Sequence, residues 1–173
     1  MTSYRQTSLP VAPLRGRFVL ASGLLESTGA ALARPGPDPE GDEAICYWAG
    51  RVVGSATVLT TVVVPRAIRE RFRVIVDEGG FGDAARLARS LHLGLLAQVH
   101  SHPGATAEHS DGDDRIVTLP FEGMLSVVVP DYGRLPISLA TTGLHQFQDR
   151  RWVSVTASTI GAGIVSVPLR RDV

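Results

Sequence analysis

The segment from Gln98 to Asp113 contains several side chains that can bind metal ions or transfer protons. His100 and His102 are two positions apart, so on a β-strand both side chains project from the same face. Pro103 follows at once and ends the strand, because proline lacks the N–H group that a sheet requires. Two imidazoles on one face can bind one divalent metal ion. The spacing therefore predicts a metal site at the end of a strand.

Ser110 and Asp113 follow a short polar loop that contains Gly104. If Ser110 caps a helix, Asp113 lies in the first helical turn, and the loop returns both residues toward the strand end. Two histidines and one aspartate leave a fourth coordination position for water, which is typical of catalytic rather than structural zinc. His100, His102 and Asp113 are therefore the predicted ligands of a zinc ion.

Hydrolysis at such a site also needs a base, because a water acidified by zinc must give up its proton. The base should be a carboxylate on a neighbouring strand. Glu43 is the candidate, since it stands at the start of a predicted strand from Ala44 to Ala49. Glu40 is a nearby competitor. Ser110 can donate to a developing oxyanion, and it is equally well explained as a plain helix N-cap.

Strand patterns and helix patterns alternate along the chain on both sides of these residues. Segments rich in β-branched and aromatic residues predict strands, and helix formers at helical spacing predict helices. The predicted strands are 17–20, 43–53, 56–64, 73–76, 93–99, 125–129, 137–140, 144–148, 152–155 and 164–167, and the predicted helices are 23–32 and 83–91. This order favours an α/β or α+β sandwich.

Composition limits the class of protein. The chain has 173 residues, which suits a single domain over 1–173. Its 17 basic residues, all of them arginine, balance 17 acidic ones, so a nucleic-acid partner is not expected. The single cysteine, Cys46, excludes a cysteine-rich zinc ribbon. Without a signal-peptide pattern or a bilayer-length apolar run, we expect a cytoplasmic protein with no membrane contact.

Several other side chains could be taken for functional groups. His109 and Asp111 are predicted to be solvated loop residues, and His92 and His145 are isolated in the sequence. Cys46 is predicted to be an inert core residue. The alternating arginines at 69, 71 and 73 favour a solvated face over a basic rim for an acidic partner.

In type and spacing, the His-Ser-His-Pro and Ser-x-x-Asp segments resemble the motif of the JAMM (MPN+, JAB domain) metallopeptidases. Glu43 and Gly50 also keep the spacing of the upstream signature of that family. The resemblance implies that His100, His102 and Asp113 bind zinc, that Glu43 is the general acid/base, and that Ser110 stabilises the tetrahedral intermediate. It implies a cytidine-deaminase-like α/β (α+β) sandwich, a mixed β-sheet flanked by helices, over about 17–155.

Two positions depart from the family pattern. Cys46 stands where many relatives carry glycine, which affects local packing more than chemistry. Relatives often have Asp-Arg after Ser-x-x, whereas here Asp113 is followed by Asp114 and then Arg115. A shift of one residue would make Asp114 the ligand, although the Ser-x-x-Asp spacing favours Asp113.

The resemblance also implies a substrate. Family members hydrolyse amide bonds, above all the isopeptide bond at the C-terminus of ubiquitin or a ubiquitin-like protein. Our leading prediction is a stand-alone bacterial enzyme that deconjugates or processes a ubiquitin-like protein. The activating and conjugating enzymes of the same operon, including antiphage operons, would be its further partners. The alternatives are a peptidase that processes sulfur-carrier proteins and a non-catalytic MPN scaffold.

Overall fold

The computed structural model describes residues 8–116, 119–134 and 136–168. Within these ranges, nine strands form one mixed sheet and two more form a hairpin beside it. The strands are β1 (Val11–Ala12), β2 (Arg17–Ala21), β3 (Ile45–Val53), β4 (Ala56–Val63), β5 (Ile68–Glu70), β6 (Arg73–Ile75), β7 (Gly94–Ser101), β8 (Leu125–Val129), β9 (Gly143–Gln148), β10 (Arg151–Val155) and β11 (Ile164–Val167). The helices are α1 (Leu24–Leu32), α2 (Glu78–Ser90), α3 (Asp113–Ile116) and α4 (Ala157–Gly163).

The large sheet has the order β1-β10-β9-β8-β7-β3-β4-β2-β11. At its centre, β7 pairs antiparallel with β3 and parallel with β8. This register sets Ile45 and Val128 on either side of His100. These three strands are mostly buried, as expected where a sheet is covered on both faces.

A helix covers each face of this central region. On one face, the Nε1–H of buried Trp48 donates to Thr28 Oγ1 of α1 at 2.8 Å. On the other face, Ala84 and Ala88 of α2 pack in one cluster with Tyr47. The side chains of His100 and His102 alternate with core residues of the α1 face such as Val99, so they lie on the α2 side of the sheet.

The structure confirms the mixed α and β architecture and corrects several elements. Helix α2 begins at Glu78 rather than at 83, because the side chain of Asp77 caps it by accepting from Gly80 N at 2.6 Å. Gly80 weakens the helix pattern in the sequence. The fold nevertheless requires glycine there, because a Cβ at this position would lie 2.3 Å from the carbonyl oxygen of Arg66. Residues 137–140 form an irregular segment that ends in a turn, instead of the predicted strand. Neither β5 nor the glycine-containing helix α4 was predicted.

Candidate metal centre

Strand β7 carries the first histidine of the site, and the second follows the strand directly. His102 remains fixed to the sheet, since its N–H donates to Val129 O at 2.9 Å. Its carbonyl oxygen accepts from Tyr132 N at 2.9 Å. Tyr132 has a φ of 55°, a left-handed conformation that is uncommon for an aromatic residue. Backbone hydrogen bonds on both sides of His102 therefore hold its imidazole beside that of His100.

His100, His102 and Asp113 converge as the spacing predicted. Their nearest ligand atoms lie 3.2 Å apart between the two Nε2 atoms and 3.1 Å apart between His100 Nε2 and Asp113 Oδ1. His102 Nε2 lies 3.4 Å from Oδ1 and 3.3 Å from Oδ2 of the same carboxylate. All three side chains are buried. Among the described residues this is the only group of His, Cys, Asp and Glu side chains arranged to hold a metal ion.

These distances suit a tetrahedral metal site. With bonds of about 2.0–2.1 Å from zinc to nitrogen and oxygen, ligand atoms at tetrahedral angles lie about 3.3 Å apart. The three residues show 3.1 to 3.4 Å between their nearest ligand atoms. The spacing of these two imidazoles and one carboxylate is therefore compatible with a tetrahedral metal ion.

Asp113 is positioned by a reciprocal pair of hydrogen bonds with Ser110. The N–H of Ser110 donates to Asp113 Oδ2 at 2.6 Å, and the N–H of Asp113 donates to Ser110 Oγ at 3.3 Å. This is a capping box with aspartate in the place of glutamate, at the start of the short helix α3. Asp114 lies outside the cluster, with its Oδ1 3.5 Å from His109 Nδ1.

The electrostatics of the cluster favour an anionic carboxylate beside two imidazoles. Burial by itself raises the pKa of Asp113, but the charges and hydrogen bonds of His100 and His102 hold that pKa far below its usual range. Burial lowers the pKa of His102, but Asp113 and then Glu43 raise it overall. The site thus stabilises positive charge between these side chains, as a cation site must.

Glu43 lies one residue before Ala44, whose backbone continues the pairing of β3 with β7. Its side chain is buried, and burial raises the pKa of its carboxyl to about 7. The charge of His102 opposes this rise in pKa and the charge of Asp113 adds to it, so Glu43 lies close enough to interact electrostatically with both. A carboxyl with a pKa near neutrality is suited to both accept and release a proton.

The hydroxyl of Ser110 acts as a helix cap here, as the simpler interpretation predicted. A hydroxyl can accept one hydrogen bond and donate another, so a capping role and a role toward substrate do not exclude each other.

One histidine near the site was interpreted wrongly from the sequence. His109 was expected to be solvated, but it is buried, and its ring centroid lies 5.1 Å from those of His145 and Trp152. Its burial depends on strands more than 30 residues further along the chain, which local pattern does not reveal.

Cys46 is fully buried, and burial raises the pKa of its thiol to about 12, which confirms an inert core residue.

The alternating arginines are not one solvated face. Arg69 Nε donates to the carbonyl oxygen of Glu43 at 3.3 Å, and its Nη1 donates to Arg34 O at 2.9 Å. Arg71 forms an ion pair with Glu40, the competing carboxylate, which is thereby held at the surface. Arg69 thus ties the loop before β3 to the backbone of Glu43, a role that no sequence pattern indicated.

An apolar cavity of about 310 Å³ adjoins the site on the α2 side of the sheet. Its wall includes Gln98, two positions before His100, and Ile116 of α3. The rest of the lining is mostly apolar and comes from α2, β3, β7 and the segment before β8: Tyr47, Phe81, Ala85, Arg89, Leu93, Gly94, Leu95, Leu119, Phe121 and Met124.

The sequence matches, over residues 29–153, the model of a family described as prokaryotic homologues of the JAB domain. A probable metalloprotease from Sinorhizobium fredii is 32% identical over 127 residues, which make up 70% of this chain and 77% of that protein. The segment matched by the family model contains Glu43, His100, His102, Ser110 and Asp113.

Solved structures show the same fold at low sequence identity. A protein from Desulfitobacterium hafniense superposes with a TM-score of 0.61 at 15% identity, covering 88% of this chain and 94% of that one. A JAB1/MPN domain protein from Archaeoglobus fulgidus superposes with a TM-score of 0.50 at 16% identity, covering 87% and 98% of the two chains.

Proposed function

The chain belongs to the prokaryotic homologues of the JAB domain, and on that premise we propose that it is a zinc-dependent peptidase for ubiquitin-like proteins. The family and the probable metalloprotease relative support a metallopeptidase-type activity. The observation that carries the proposal is the cluster of His100, His102 and Asp113, whose spacing suits zinc, with the buried carboxyl of Glu43 beside it.

In this proposal His100, His102 and Asp113 hold the zinc ion, which when bound supplies Lewis-acid chemistry toward a water and the scissile carbonyl. Glu43 takes the proton of the attacking water. The same carboxyl then passes that proton to the leaving amine nitrogen. The hydroxyl of Ser110 donates to the oxygen that becomes negatively charged as the carbonyl is attacked.

The burial of the site favours a substrate that is a narrow, extended polypeptide segment at the cleaved bond. His100 is 0% exposed and His102 is 4% exposed, so only a narrow chain with small residues at the cleaved bond can reach them. The C-terminal tail of a ubiquitin-like protein is extended and ends in small residues. The adjoining apolar cavity can take an apolar side chain from further back along such a tail.

The test starts with the metal content of the purified protein, for which we expect about one zinc per chain. A ubiquitin-like protein is then supplied both as a precursor with a C-terminal extension and as an isopeptide conjugate. We expect cleavage directly after its C-terminus by the wild type and none by Glu43→Gln. Zinc-free protein that cuts neither substrate would support a scaffold role, and bound iron in place of zinc would also contradict the proposal.

A further inference from the structure

Gln98 lies behind the metal centre, and no part of the proposed reaction uses it. We propose that Gln98 is a positioning residue whose amide oxygen accepts the Nδ1 hydrogen of His100, which leaves Nε2 of that ring to bind the metal. This inference rests on the zinc site proposed above and extends it to the side chain that orients a ligand.

The geometry places the amide against the far edge of the imidazole. Gln98 and His100 are two positions apart on β7, so both side chains lie on the same face of the sheet. Both are 0% exposed. The amide nitrogen of Gln98 lies 3.4 Å from His100 Nδ1, while Nε2 of the same ring faces His102 and Asp113. Each ring nitrogen thus has a different partner.

The protonation of a metal-bound imidazole determines whether the oxygen or the nitrogen of the Gln98 amide should face Nδ1 of His100. A neutral imidazole that binds a metal through Nε2 carries its proton on Nδ1, and this N–H needs an acceptor. The amide of glutamine accepts only through its oxygen. A half-turn about the Cγ–Cδ bond of Gln98 exchanges Nε2 and Oε1, and it brings the oxygen to the Nδ1 hydrogen.

A second observation concerns the same amide. Oε1 of Gln98 is buried and, within the described part of the chain, has no hydrogen-bond partner. The half-turn gives Oε1 the Nδ1 hydrogen of His100 as its partner and moves Nε2 to the position that Oε1 leaves. Gln98 also forms part of the wall of the apolar cavity, where an apolar side chain would be favoured if packing alone mattered. A wholly buried amide is therefore best explained by its contact with His100.

The test is the zinc affinity of Gln98→Met, measured by competition with a chromogenic chelator. Methionine has a similar volume and no acceptor comparable to an amide oxygen. We expect binding about 10- to 100-fold weaker, the loss typical when such a partner of a ligand is removed. Gln98→Glu keeps an acceptor oxygen and should bind zinc within a few-fold of the wild type. Equal zinc affinity in Gln98→Met and the wild type would overturn the inference. A loss of zinc affinity in Gln98→Glu as large as that in Gln98→Met would overturn it as well.

Gln148→Met provides a matched control on a more distant strand. Nε2 of buried Gln148 donates to Pro13 O at 2.9 Å and to Gln146 Oε1 at 2.7 Å. Its replacement should lower the melting temperature and leave zinc affinity unchanged. A comparable loss of affinity in this control would show that general destabilisation explains the result.

Two measurements on the wild type separate this inference from the proposed function. They also test the inference if Gln98→Met does not fold. A wild type that binds no zinc contradicts the proposed function itself. In the zinc-loaded wild type, long-range ¹H–¹⁵N spectra should show His100 protonated on Nδ1, with slow exchange of that proton. Protonation of His100 on Nε2 would overturn the inference about Gln98 alone.

Discussion

The backbone N–H of Ala44 donates to the side-chain oxygen of Ser101 at 2.9 Å, and the N–H of Ser101 donates to Ala44 O at 2.9 Å. Ser101 stands between the two histidines, and Ala44 follows the proposed base, Glu43. The serine of His-Ser-His therefore joins the strand end that carries the base to the strand end that carries the ligands.

Ser101→Ala tests this connection. The variant leaves the buried N–H of Ala44 without an acceptor, which should lower the free energy of unfolding by about 1–3 kcal/mol. Displacement of Glu43 should also reduce turnover by about 10- to 100-fold while zinc content stays constant. Thermal unfolding, metal analysis and kcat measure the three effects. Ser101→Thr keeps the hydroxyl and should recover most of the activity.

Ser126→Ala is the control for Ser101→Ala. Ser126 is also buried, but its Oγ has no hydrogen-bond partner in the described residues. A smaller loss of stability and normal turnover are expected. If both serine variants behave alike, the hydrogen bond from Ala44 does not position the base.

Glu43→Gln should retain zinc and lose catalysis, because Glu43 is a proton carrier and not a ligand in the proposed mechanism. Removal of a general base typically costs about 10²- to 10⁴-fold in rate. Metal analysis and cleavage of a ubiquitin-like fusion protein measure the two properties. Glu26→Gln, at an exposed position of α1, should match the wild type in both. Loss of zinc from Glu43→Gln would show that the assigned roles are wrong.

The raised pKa of Glu43 predicts a pH dependence in the zinc-free protein. The unfolded carboxyl ionises near pH 4.5, whereas the folded one ionises near pH 7. Between these values the unfolded state binds fewer protons than the folded state, so this group lowers stability as pH rises. The loss is complete above pH 7, where a difference of this size corresponds to about 3 kcal/mol.

Glu43→Gln removes this titration and isolates the contribution of Glu43. In zinc-free protein, the variant should therefore be more stable than the wild type at pH 8, and the two should converge at pH 4. Denaturant unfolding at both pH values measures the difference. A constant difference across this range would mean that the carboxyl of Glu43 keeps an ordinary pKa.

Asp113→Ala and Asp114→Ala form a matched pair that tests which aspartate serves the metal. Asp113 lies against both imidazoles, whereas the side chain of Asp114 is 41% exposed. Asp113→Ala should lose zinc and the stability that zinc binding adds, and Asp114→Ala should keep both. Zinc titration followed by calorimetry provides the measurement. The opposite pattern would establish the shift of one residue toward Asp114.

Much of the site could be predicted because its geometry is local in the sequence. The spacing of His100 and His102 follows from strand alternation, and Ser110 with Asp113 follows from helix capping. The contacts that could not be predicted join distant segments. His109 is buried by β9 and β10, and Arg69 reaches the backbone of Glu43 from β5, a strand that was not predicted from the sequence.

The start of α2 was missed for a different reason. Gly80 lowers local helix propensity, yet tertiary packing against Arg66 requires a residue without a side chain there. The strand predicted at 137–140 failed because apolar alternation over four residues also occurs in irregular segments and turns. Short patterns are decided by the surrounding fold, which explains why the long central strands were predicted best.

The capping box between Ser110 and Asp113 bears on how tightly a metal could bind. Joining His102 to Asp113 closes a loop, and loop closure carries an entropic cost that normally weakens a chelate. Here the two hydrogen bonds at 2.6 and 3.3 Å hold the end of that loop within the folded chain. The entropy of closing the chelate ring is thus lost during folding, so an ion would meet a donor set that is already assembled.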